Sequence, residues 1–339
     1  MSTASNSMLR SLGRWLPGLI ISTIAILLLI RFSNWPEVFS AISGIKLGWL
    51  IPAVGFFLIS IGFRALSWMI LLQKKVNYGR VFITLNEGYL LNNIFPFRLG
   101  ELGRVFILSE TTNLSGFFVL STIIIERMYD LAIAAGLFLA TLPYVFSIAS
   151  GQTIAVVVLV VGMIGLFTLF LLARNHNWIS ARLEDFSLRR FTLRDRIVPR
   201  INSLLDGLGV LASFDQFLLS LVLMILSWLF GGLELIFISR SFGVELEIWM
   251  VAFILGMISI GIAIPSAPAG LGVFEAAAVG AFSLLGLSTT AGLAIAIVSH
   301  FISIAFTGLI GVYGIFRDGE SITGIYNHLR NMRLFNSNP

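Results

Sequence analysis

The chain has 339 residues and a formal charge of +5, with 57% hydrophobic residues, 12% charged residues and a mean hydropathy of +0.96. So little polar surface cannot solvate a globule, which excludes an ordinary soluble domain and points to an integral membrane protein. There is no cysteine, so disulfides, thiolate metal sites and cysteine nucleophiles are excluded too.

The first apolar run, near Trp15 to Ile30, follows Arg10 and Arg14 as a signal sequence would. It is long and lacks a small-residue cleavage signature, which predicts a retained helix. Runs near Gly48 to Leu72, Phe117 to Leu142, Thr153 to Ala173, Gln216 to Ser239 and Thr289 to Phe316 are also long enough to cross a hydrocarbon core of about 30 Å. The fold class predicted is an all-α polytopic membrane protein with six spanning helices.

Two further apolar stretches are broken. Residues 81–116 contain Asn92-Asn93-Ile94-Phe95-Pro96-Phe97-Arg98-Leu99-Gly100-Glu101-Leu102-Gly103-Arg104, and residues 249–287 contain Ile264-Pro265-Ser266-Ala267-Pro268-Ala269-Gly270-Leu271-Gly272-Val273-Phe274-Glu275. Both read Pro-x-x-Leu-Gly with a glutamate following. Proline, glycine and charge inside an apolar segment are tolerated only where backbone is buried in protein or lines a wet cavity.

With both termini and the loops at 73–80 and 174–215 in the cytoplasm, most of the 22 Lys and Arg lie inside, and only Arg31, Lys46 and Arg240 lie outside. Residues 81–116 must then return to the inner face and residues 249–287 to the outer one. The expectation is two re-entrant broken-helix hairpins entering from opposite sides. Residues 1–142 and 143–316, the second half including the basic cytoplasmic loop 174–215, would form a 4+4 inverted repeat, followed by a cytoplasmic tail at 317–339.

A half-helix starting near Leu99 would aim its amides at the membrane interior beside Arg98 and Arg104, which suits a lipid phosphate. Glu101 falls in its first turn and can pair with Arg98 or Arg104. In the second hairpin Gly270 and Gly272 allow close backbone approach. Glu275 there can attract a cationic head group or balance an arginine of the first hairpin. Pro96, Gly100 and Pro268 complete the set of backbone hinges.

Glu126, Arg127 and Asp130 fall about 13 to 20 Å into their span, near the midplane. Arg127 and Asp130 can pair on one helix face, leaving Glu126 to seek Arg64 on the second span. Glu234 and His300 are candidate proton relays, His300 alternatively a neutral imidazole bonded to a neighbouring helix. Ala132, Gly136 and Ala140, and Gly308, Gly311 and Gly314, have the spacing of close helix-packing faces.

The loop at 174–215 holds seven arginines and is expected to rest on anionic lipid. Ile197, Ile201, Leu204, Leu205, Leu208 and Leu211 give it a helical face to bury in the interface. No folded soluble domain accompanies this charge, so nucleic acid is not an expected partner. Asp-x-Asp, His-Glu-x-x-His and phosphate-loop motifs are missing, and no catalytic residue, metal site or cofactor is indicated.

The block Asn93 to Arg104, then Glu126-Arg127-Met128-Tyr129-Asp130, then Pro265 to Glu275, resembles the lysylphosphatidylglycerol synthase transmembrane-region family, also called flippase-like, over roughly residues 10–318. In its two-domain members, the multiple peptide resistance factors, the membrane region moves aminoacylated phosphatidylglycerol between leaflets while a soluble carboxyl-terminal domain makes it. The chain runs only about twenty residues past the last span, so the resemblance implies translocation without synthesis. Ala269 stands where the family commonly has glycine. The expected activity is movement of a phospholipid or related polar lipid across a bacterial-type inner membrane; a membrane-embedded lipid- or lipid-linked-sugar-modifying enzyme is the alternative. A homo-oligomer and a separate lipid-modifying enzyme both remain open as partners.

Overall fold

The computed structural model describes residues 20–95, 98–145, 191–263 and 266–325, with isolated positions between 160 and 175. Pro96, most of the run predicted at Thr153 to Ala173, the loop before residue 191 and the end of the tail lie outside the described residues. The described chain is helical. Helix α1 (Ile20–Phe32) bends by 87° into α2 (Trp35–Ser43), where Pro36 cannot donate to a continuing helix and the Asn34 amide bonds the Glu37 carboxylate at 2.6 Å.

Among the described residues, three segments are long and apolar enough to cross a membrane: α3 (Leu50–Leu71) with the preceding turn from Leu47, α8 (Phe214–Ser241) and α11 (Thr289–Arg317). Helix α6 (Gly116–Val145) has 30 residues and is about 45 Å long, but its middle carries the three ionisable residues of the predicted midplane cluster. The broken stretches resolve into α4 (Tyr78–Ile94) with α5 (Leu99–Thr111), and α9 (Ile248–Ile262) with α10 (Val273–Leu284). None of these four, at roughly 18 to 26 Å, reaches the thickness of a hydrocarbon core.

Helix α3 lies along α8, α4 along α11, and α6 along α9; α5 packs on α4 and α6, and α10 on α9 and α11. The α3–α8 seam is stitched by Ser60 and Ser67 hydroxyls donating to the Ser227 and Ser220 carbonyls, each at 2.8 Å. Such bonds count between helices where lipid offers none. Trp68, Tyr129, Phe253 and Phe282 fill the core.

Of the two expected small-residue faces, one is seen in part. A Cβ on Gly311 or Gly314 would stand 2.6 Å from the Asn86 carbonyl and 2.5 Å from Glu87 Oε1, so these glycines set the α4–α11 approach. Gly308 and Gly136 have open space beside them. A three-residue step falls short of a full helical turn, so such a row winds off the contact face. On α6, Ala134 and Phe138 meet α9 at Gly256.

The amphipathic segment ahead of α8 packs on protein over its later part. In α7 (Phe191–Leu208) and the turn after it, Leu205, Leu208 and Leu211 are buried within protein. Gly207 lies against Ser121 and Phe118 of α6, with no room for a Cβ. Among the described residues, this later part of its apolar face packs on α6.

Candidate functional site

At the first break Asn92, on the last turn of α4, turns its side-chain oxygen to the Gly100 amide at 2.8 Å and so caps α5. The Glu101 amide bonds the Arg98 carbonyl at 3.0 Å. The start of α5 is therefore largely satisfied by its own chain, and the phosphate cradle expected of its amides is partly filled. Arg98 adopts φ +53°, a left-handed conformation unusual for a non-glycine residue. Its guanidinium donates to the Ile262 carbonyl at 2.6 Å, tying the first break to the end of α9.

The second break is built on positive φ at Ala269, Gly270 and Gly272, of +58°, +75° and +82°. Alanine carries at Ala269 a strain on the order of 1–3 kcal/mol that glycine would avoid. The Glu275 carboxylate accepts from the Gly272 amide at 2.7 Å, capping α10, and meets His300 Nδ1 at 2.6 Å. His300 Nε2 meets the Ala269 carbonyl at 3.0 Å, and the Ala267 amide donates to Ser22 of α1 at 2.8 Å. Glu275 thus answers to a histidine of α11, not to an arginine of the first hairpin.

Beside the first break, four arginines and three acids interlock. Glu126, fully buried, receives Arg104 at 2.6 Å, Arg64 at 3.0 Å and Arg127 at 3.4 Å. Asp130 takes both terminal nitrogens of Arg64 at 2.9 and 2.7 Å, Arg127 at 3.2 Å and the Trp228 indole at 3.1 Å. Glu101 pairs with Arg127 at 3.2 Å and loosely with Arg98 at 3.9 Å. The predicted Arg64–Glu126 and Arg127–Asp130 pairs are both present. Arg104 turns away from Glu101 and lies 3.8 Å over the Trp68 ring, a favourable place for a desolvated cation.

A cavity of about 460 Å³ opens between the two breaks, a size in the range of small-molecule sites. Arg98, Glu101, Arg127, Glu234 and His300 all line it, with Tyr89, Asn92, Asn93, Ser299 and Ser303 adding polar groups and Ala269 and Gly270 adding backbone. Arg104, Glu126 and Asp130 stand behind its wall and Glu275 behind His300; Pro268, Gly100 and Gly272 shape the turns. Tyr89, Asn92 and Trp228 carry no charge and recur in no spacing, so nothing in the sequence marked their roles. A larger, more open cleft of about 780 Å³ beside α7 has Lys75 and Asp206 as its only charged lining.

Residues 15–311 match the family described as Lysylphosphatidylglycerol synthase TM region. The chain belongs to that family. The matched span includes both breaks, the charge cluster and the cavity wall. Comparison with curated proteins and with solved structures gave no match. As a lysylphosphatidylglycerol synthase transmembrane region, the protein is a membrane domain of lipid-related proteins, which agrees with its three long apolar helices.

Proposed function

We propose that this chain moves a phospholipid or a related polar lipid between the leaflets of the inner membrane, holding the head group in the 460 Å³ cavity between the breaks. The observation that carries this reading is that two discontinuous helices, far apart in sequence, close on one charged cavity inside an apolar bundle. Arg98 and Arg127 would meet the phosphate, with Glu101 holding both in place. The acyl chains would stay in lipid.

In this reading the breaks belong to re-entrant hairpins of an inverted repeat, and both termini are cytoplasmic. The packing supports it: exchanging α3, α4, α5 and α6 for α8, α9, α10 and α11 turns each major contact into another. The contact of α4 with α11 becomes that of α9 with α6. Even α2 on α11 has its counterpart in α7 on α6. Two related halves facing one site at mid-membrane are the usual basis of alternating access.

The test is purified protein in liposomes carrying leaflet-labelled phospholipid. Movement without an added donor is expected, and a change in lipid mass would instead indicate an enzyme. Arg98→Ala, at a half-buried cavity position, is expected to slow movement by about tenfold or more, the loss of one charge-assisted bond to phosphate, with folding retained. An unchanged rate removes Arg98 from the site. Topology is tested separately in this cysteine-free chain: a single thiol replacing Ser115 is expected to react with an impermeant reagent only from the inside, and one replacing Leu287 only from the outside. Reaction of both from one side ends the hairpin model.

A further inference from the structure

We propose that the chain carries protons as well as lipid, with the proton held by His300 and Glu275 as a latch on the second break; the coupling part rests on the translocation reading above. The latch follows from counting hydrogens. His300 lies between two acceptors, the Ala269 carbonyl at 3.0 Å and Glu275 Oε1 at 2.6 Å. A carbonyl only accepts, so Nε2 bears a hydrogen. The contact with Glu275 requires a second, carried on Nδ1 or on the carboxyl.

Removing one proton leaves a neutral imidazole with a single N–H between a carboxylate and a carbonyl. The charge-assisted bond is the stronger, so the hydrogen stays with Glu275 and the Ala269 carbonyl is released. Within the second break, Ala269 is the residue that holds a left-handed conformation without being glycine. Deprotonation therefore frees the most strained point of the break, and the proton leaves to water on the side to which the cavity then opens. Reprotonation closes it.

Groups facing His300 are few. Glu275 comes from α10, Tyr89 from α4, Glu234 from α8, and across the cavity Arg98 from the turn before α5, Glu101 from α5 and Arg127 from α6. Helix α9 has no titratable residue, and Glu37 of α2 is exposed. The acids Glu101, Glu126 and Asp130 are all committed to arginines. Glu234, 8% exposed, has no hydrogen-bond or ion-pair partner among the described residues and faces the cavity. A buried carboxylate so placed takes up a proton or a cation, which makes it the next acceptor on the path.

Glu275→Gln separates the ideas. The glutamine carbonyl can still accept from Gly272 while its amide donates to His300 Nδ1, leaving Nε2–H on Ala269 at every pH. The break is then permanently latched in a folded protein. A polarity-sensitive fluorophore on Ser266→Cys reads the break directly: emission is expected to change with pH, and to stay flat once Glu275→Gln is added. In liposomes loaded with a pH dye, lipid movement is expected to shift lumenal pH and to vary by up to about tenfold per pH unit, the slope of one titrating site. Glu275→Gln is expected to lose both effects. Emission that fails to titrate, or titrates equally with Glu275→Gln, overturns the latch. Lipid movement without proton flux and indifferent to pH overturns the coupling and leaves translocation standing. A titrating break in a protein that moves no lipid overturns translocation and leaves the latch.

Discussion

Glu126→Ala is expected to destabilise the protein by about 3–5 kcal/mol, the usual consequence of deleting one partner of a buried ion pair. Its carboxylate is fully buried and meets three guanidinium groups, those of Arg104, Arg64 and Arg127. Two of these retain acids elsewhere, Arg64 and Arg127 on Asp130. Arg104 does not. It is 1% exposed, two of its nitrogens already lack a hydrogen-bond partner, and without Glu126 only the face of Trp68 would offset its charge. Unfolding in detergent micelles measures the loss. Adding Arg104→Ala should recover part of it, because the stranded cation goes too. A melting temperature unchanged by Glu126→Ala would mean that this cluster does not hold α5 to α6. The same geometry separates roles within the cluster: Arg104 and Glu126 fix the wall, whereas Arg98 and Arg127 reach the cavity.

Much of this was readable in the sequence because lipid leaves so few reasons for polarity. Proline, glycine and arginine inside apolar runs marked both breaks. Depth along α6 then placed Glu126, Arg127 and Asp130 near one level, and the pairs Arg64–Glu126 and Arg127–Asp130 followed from spacing. The pairing of Arg104 could not follow, because whether it meets Glu101 on its own helix or Glu126 on the next depends on how α5 crosses α6. The same holds for Glu275 and His300. They lie on separate helices, and only the fold of the second break brings the imidazole between carboxylate and carbonyl. Glycine spacing misled at Gly136 and Gly308 for a related reason: a small residue permits close approach, but the neighbour's position decides whether any approach occurs.

Gly100→Ala is expected to cost about 3 kcal/mol, the upper end for overpacking, and to abolish lipid movement. The added Cβ would stand 1.9 Å from the Gly88 carbonyl oxygen and 2.7 Å from the Asn92 side-chain oxygen. Neither can step aside cheaply: the first is helix backbone and the second is the group that caps α5. Helices α4 and α5 must then separate by more than an ångström, and separation breaks the Asn92 cap and draws Arg98 off the Ile262 carbonyl. Gly103→Ala meets the end of the Leu91 side chain at 2.3 Å and should be milder, because a leucine can change rotamer. Gly136→Ala, in mid-helix with nothing within 4 Å, is the control and is expected to stabilise by up to about 1 kcal/mol. Unfolding and lipid movement measured on all three test whether the first break depends on backbone contact. Equal effects of Gly100→Ala and Gly136→Ala would show that α4 and α5 are not held this closely. Loss of movement with Gly100→Ala alone would tie transport to the contact between Gly88 and Gly100, the point from which the first broken segment turns toward the cavity.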